Sequence, residues 1–142
     1  MTTKEYICYR SDYKYQLADS YKINILIRPT TNIKTDFIDL DIGGALLVKK
    51  GYAWDGPSGP VKDTEENMRA SLVHDALYQL MRNKELSSRK HRKTADQLFK
   101  DICKDDGVSN LTASLYYKAL RKFAKTATSP ENKKKIHRAP KK

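Results

Sequence analysis

Cysteine is nearly absent from the chain: Cys8 and Cys103 are the only two among 142 residues. Two thiols are too few to brace a small fold, which excludes a disulfide scaffold and favours a reducing compartment. With no histidine pattern beside them they do not form a zinc site either, and are expected as free thiols. Long apolar runs are also missing, and none approaches the roughly 18–20 residues of a membrane span. The opening "MTTKEYICYR" has no apolar core of the kind a secretory signal needs. No internal repeat is visible.

Positive charge is what the chain has in excess, at a formal +11. It is unevenly placed: residues 1–62 carry +2, residues 63–126 carry +4, and the last sixteen, "ATSPENKKKIHRAPKK", carry +5. Nearly half of the excess therefore sits in a polar stretch without hydrophobic periodicity. The expectation is one domain over residues 1–126 and a disordered basic tail over 127–142. Such a tail can touch nucleic acid or anionic lipid non-specifically, or serve only to solubilise.

The first half reads as strands. "YKYQL" (13–17) and "YKINILI" (21–27) are rich in Tyr and Ile, with Ala18-Asp19-Ser20 as a turn between them. "TDFIDLDI" alternates from Phe37 or Ile38 to Leu40. Gly43-Gly44 then turns the chain into "ALLVKKGYAW", where Trp54 is either a core residue closing the sheet or an interfacial anchor. About four short strands in an antiparallel meander are expected.

The second half reads as three helices. Asp63 or Thr64 caps the first, Glu65-Glu66 favour its positive end, and Met68, Leu72, Val73, Ala76, Leu77 and Leu80 make its apolar stripe. The second runs through "RKHRKTADQLFKDICKDD", with Ala95, Leu98, Phe99 and Ile102 inward, His91 on a solvated basic face, and Gly107 at its end. Asn110 is expected to cap the third, with Leu111, Leu115, Tyr116, Ala119, Leu120 and Phe123 on one side. The fold class is α+β, strands first and helices after.

"GYAWDGPSGPVKDTEENMRASLVHDALYQLMR" (51–82) is where chemistry concentrates. Histidine is the residue type that titrates near neutral pH, and His74 can take a proton from water when a carboxylate fixes its tautomer. Asp75, about 100° round the helix, cannot orient His74 and is better placed to hold a metal. Asp96, flanking the apolar stripe of the second helix, can accept from the His74 ring, with Tyr78 donating to it as well. The loop, with Gly56, Gly59 and two prolines, exposes carbonyls suited to a hard cation. Asp75, Asp55 and those carbonyls make calcium the expected ion. The bland alternative is a histidine packed between helices, Asp75 in solvent and a rigid turn. A metal-dependent HD-type phosphohydrolase would need a histidine upstream of His74, and there is none.

The order of loop, "HDALY" and "ADQLF" resembles the secreted phospholipase A2 family over residues 51–103, especially its disulfide-poor viral and bacterial branches. The resemblance implies a phospholipase A2-like pair formed by the first two helices. His74 would be the water-activating base, Asp96 the orienting carboxylate, and Tyr78 its support. Asp75 would be the calcium ligand, with Gly56 and Gly59 in the calcium loop. The activity implied is calcium-dependent hydrolysis of a phospholipid or related ester at a membrane surface. "GYAWDGPSGP", "RASLVHDALY", "ADQLF" and "DGV" also resemble, over most of residues 13–126, a bacteriophage family of unknown function. That second resemblance implies a location in the host bacterial cytoplasm or the virion. It leaves a different possibility open, a non-catalytic accessory or virion protein that contacts a phage or host protein.

Overall fold

A computed structural model describes residues 6–11, 15–57 and 61–130. The order is strands then helices, as the α+β pattern requires: β1 (Tyr9–Ser11), β2 (Tyr15–Leu17), β3 (Tyr21–Asn24), β4 (Ile33–Lys34), β5 (Ile38–Leu40), β6 (Ala45–Val48) and β7 (Ala53–Trp54), followed by α1 (Glu65–Arg82), α2 (Ser88–Asp105) and α3 (Asn110–Phe123). A short 3-10 helix, Lys125–Thr128, follows α3.

The strands do not make the single meander expected of them. They form two antiparallel sheets, ordered β1-β2-β7 and β3-β6-β5-β4. The turn at Ala18–Ser20 joins strands of different sheets, and "ALLVKKGYAW" is broken into β6 and β7 by a turn at Gly51. The backbone around Leu17 makes the junction, with Leu17 N donating to Tyr52 O (2.8 Å) and Gly51 N donating to Leu17 O (2.8 Å). Alternation within β5 settles its frame: Ile38 and Leu40 are fully buried, while Phe37 faces outward. Gly44 lies at φ +90°, and a Cβ there would meet the Ile25 carbonyl, so the β5–β6 turn is tied to glycine.

One apolar core joins the buried faces of both sheets to α1, α2 and parts of α3. All six residues of the expected α1 stripe are buried, together with His74 and Tyr78 outside it. Thr64 caps helix α1, its backbone N–H donating to Asn67 Oδ1 (3.0 Å), while Asn67 Nδ2 donates to Lys62 O (2.7 Å). Helix α2 ends as its glycine implies, with Val108 N donating to Cys103 O (2.9 Å) and Gly107 N to Lys104 O (3.2 Å).

Three aromatic side chains of the sheet half tie it to α1. Tyr21 OH accepts from Arg69 Nη1 (2.8 Å), Trp54 Nε1 donates to Ser71 Oγ (2.9 Å), and Tyr52 OH donates to Asp75 Oδ2 (2.7 Å). Trp54 is therefore a core residue, fully buried. Arg69 also grips Asp106 with two hydrogen bonds, of 3.0 and 2.9 Å. Burial alone would lower the Arg69 pKa, but its bonds to Asp106 and Tyr21 raise it above the ordinary arginine value.

Helix α3 departs most from its pattern. Ser109, not Asn110, is its N-cap, accepting from Thr112 N (3.2 Å). Of the apolar residues expected to pack on one side, Leu111, Leu115 and Phe123 are exposed and only Leu120 is buried; Ala113, outside that set, is buried as well. His91 is half-buried rather than solvated, and burial, with the charge of Lys90, lowers its pKa. Past residue 126 the chain stays against the domain: Thr128 is buried, and Arg82 Nη1 donates to Ala127 O (2.9 Å). The remainder of the basic tail, 131–142, lies outside the described residues.

Candidate functional site

On α1, His74 and Tyr78 are four residues apart and share a face, their rings 4.0 Å apart. Phe99 of α2 closes over the histidine edge-on at 5.5 Å. Asp96, also on α2 and fully buried, faces this pair. His74 Nε2 lies 2.7 Å from Asp96 Oδ1, and Tyr78 OH donates to the same oxygen at 2.5 Å. The second carboxylate oxygen is not idle, because Arg121 Nη1 of α3 donates to Oδ2 at 2.9 Å.

A second arginine stands beside it. Arg92, one turn before Asp96, donates from Nε to Tyr78 OH (3.1 Å) and places Nη2 3.8 Å from Asp96 Oδ2. The same Nη2 donates to the carbonyls of Leu120 (2.8 Å) and Arg121 (3.1 Å), near the C-terminal end of α3. One buried carboxylate is thus the meeting point of three helices.

Burial on its own would push the Asp96 carboxyl up. The hydrogen bonds from His74 and Tyr78, and then Arg121, outweigh it and hold the group below the usual carboxylate range. Tyr78 moves the other way: burial, then its bond to Asp96, raises its hydroxyl well above an ordinary phenol. At neutral pH the cluster therefore contains a carboxylate acceptor and a phenol that donates to it.

Asp75, the next residue round α1, is half-buried and receives the Tyr52 hydroxyl. Burial, then Asp75, and more weakly Asp55, push the Tyr52 pKa well up, so both carboxylates act on one phenol. Gly56 lies at φ +86°, and a Cβ there would sit 2.8 Å from Asp63 Oδ1. Asp63 in turn accepts from Tyr15 OH at 2.5 Å. Gly59 lies outside the described residues.

Calcium takes six to eight oxygens. Around Tyr52 the described residues supply Asp75 and Asp55, and among them no three His, Cys, Asp or Glu side chains form a group that could hold a metal.

The geometry thus brings His74, Asp96 and Tyr78 into one hydrogen-bonded cluster, sets Asp75 beside it on Tyr52, and leaves Gly56 without room for a side chain against Asp63. Sequence reasoning did not single out Arg92, Arg121 or Tyr52. Arg92 stands in the basic string "RKHRK" and Arg121 among the lysines of α3, where charge reads as solvated surface. The one available signal is the spacing of Arg92 four residues before Asp96, which puts both on one helix face.

No curated protein and no solved structure matches the chain. Among the described residues no helix is long and apolar enough to cross a membrane. A family described as "Protein of unknown function (DUF1353)" matches residues 33–120, a span that starts at β4 and holds His74, Asp75, Tyr78, Arg92 and Asp96. Covering more than half of the sequence, the match makes this chain a member of the DUF1353 family.

Proposed function

We propose that the protein is an ester hydrolase in which His74 draws a proton from water. One observation carries the reading: the ring of His74 is hydrogen-bonded through Nε2 to a buried, ionised carboxylate that Tyr78 also holds. A carboxylate only accepts, so Nε2 carries the proton and donates it to Asp96. Nδ1 is then the basic nitrogen, and it has no hydrogen-bond partner among the described residues.

A water at Nδ1 would give up its proton as its oxygen bonds to the ester carbonyl carbon. Asp96 stabilises the imidazolium that results. On collapse, the carbon–oxygen bond to the alcohol breaks, and the Nδ1 proton goes to the departing alkoxide. Tyr78, its hydroxyl pushed well up by burial and by Asp96, keeps its proton throughout and acts as a positioning residue. No step is routed through calcium. The loop–HDALY–ADQLF order supports phospholipids or related esters as the substrate class.

The test is turnover of a chromogenic acyl ester and of phospholipid in mixed micelles, on wild type and His74→Gln. A loss of about 10²–10⁴-fold in the variant, with its thermal unfolding intact, is expected for a general base. Equal rates in both proteins, or no turnover of either substrate, would overturn the reading. Calcium calorimetry on wild type and Asp75→Asn asks separately whether an ion joins the site; heat lost in the variant would add one.

A second reading has its own observation. His74 is 3% exposed and Asp96 0%, and two arginines besides the histidine compensate the carboxylate. Such a cluster can tie three helices together without chemistry. The protein would then be a non-catalytic phage accessory or virion protein, working through contacts with other proteins. His74→Gln that lowers the melting temperature and leaves no activity to lose would select it.

A further inference from the structure

Helix α3 turns leucines outward. At 100° per residue, Leu111, Leu115, Lys118 and Lys122 fall within about 60° of arc, opposite the buried Ala113 and Leu120. Leu111 is 73% exposed, Leu115 55% and Phe123, at the end of the helix, 58%. Lys118, Lys122 and Lys125 are exposed too, and no Asp or Glu occurs from 110 to 125. Lys122 Nζ stands 5.3 Å over the Phe123 ring. The remaining cation of the helix, Arg121, is already committed to Asp96.

A soluble surface scatters its exposed apolar side chains singly; two leucines one turn apart, continued along the same stripe by two lysines, mark a docking face. We propose that this face of α3 seats the protein on an anionic lipid surface. Leu111 and Leu115 enter the headgroup boundary, and Lys118 and Lys122 meet lipid phosphates. Charge complementarity chooses this occupant. A second copy would bring the same lysines face to face on a chain of net charge +11. A nucleic acid would suit the lysines but leave the leucines against phosphate. Past Pro130 the sequence adds six basic residues against one acidic, which extends the match to an anionic surface.

The inference does not require His74 to be catalytic. It names the phase in which an ester hydrolase would meet its substrate, and because vesicle binding is read without turnover, the two readings fail separately. The experiment is flotation of the full chain with phosphatidylcholine vesicles, either pure or containing about 30% phosphatidylglycerol. Binding to the anionic vesicles is expected, weakened about tenfold on pure phosphatidylcholine or in about 0.5 M salt. The variant Leu111→Ser/Leu115→Ser should lose about tenfold in vesicle affinity with its melting temperature unchanged, because both side chains are exposed. Lys118→Gln/Lys122→Gln should lose the salt dependence. The proposal is overturned if the wild type does not float, or if the serine variant floats as well as the wild type. It is also overturned if the serine variant keeps its lipid affinity and loses affinity for a DNA duplex instead.

Discussion

Helices α1 and α3 both carry apolar residues at helical spacing, yet the molecule treats them in opposite ways. Helix α1 is enclosed nearly all round: Leu72, Val73 and Leu77 are inside, and so are Asn67, Arg69, Ser71 and His74. Helix α3 buries Ala113 and Leu120 and sends two leucines into solvent. The difference lies in how many neighbours each helix has. Helix α1 is covered by α2, by the 3-10 helix and by aromatics from both sheets, so even its polar positions are inside and must be paired. Each of them is: no fully buried side-chain nitrogen or oxygen among the described residues lacks a partner. Helix α3 packs on α2 and on the 3-10 helix, and one narrow strip is enough for that. A wide apolar face therefore says less about burial than the number of elements around it.

The comparison breaks most visibly at Asp96. Asp96→Ala would strand two arginines beside a buried histidine, and a loss of about 3–5 kcal/mol is expected by denaturant unfolding. A smaller loss, below about 1 kcal/mol, would show that the cluster contributes little to joining the helices. Leu77→Ala in α1 should cost about 2–5 kcal/mol, as for a fully buried leucine, whereas Leu115→Ala in α3 should stay within about 0.5 kcal/mol. Equal losses at the two positions would mean that the face of α3 is covered in solution.

Acid sharpens the contrast. Because Asp96 is held below its unfolded pKa of about 4, its contribution is complete above that value and disappears as pH falls through the folded one. Asp96→Asn should therefore flatten the acid limb of a stability–pH curve, and a limb identical to wild type would contradict this. A modest effect lies at the cap of α3. Ser109→Ala removes the acceptor for Thr112 N and should cost about 1 kcal/mol in the same unfolding assay.

Much of the fold was legible because helix signals are local. The stripe of α1, the Thr64 cap and the stop at Gly107 each depend on residues within a turn or two. The sheets were less legible. Strands of two to four residues carry little alternation, and pairing β3 with β6 across more than twenty residues is a long-range decision. The site divides in the same way. His74 and Tyr78 on one face follow from their spacing, and Asp96 was singled out from its place beside an apolar stripe. Arg92 and Arg121 were not, because a buried arginine and a solvated one look alike in a basic string.

By itself the sequence determined the order of strands then helices, the apolar stripe of α1, and a histidine and a tyrosine on one side of that helix. These follow from covalent spacing and a period of 3.6 residues, which no distant contact alters. Only the tertiary structure decided that the strands divide into two sheets, that Arg121 of α3 reaches Asp96, and that Leu111 and Leu115 face outward. Those outcomes depend on which surfaces meet. A buried carboxylate needs partners wherever they lie in the chain, and an apolar face with no neighbour stays in contact with water.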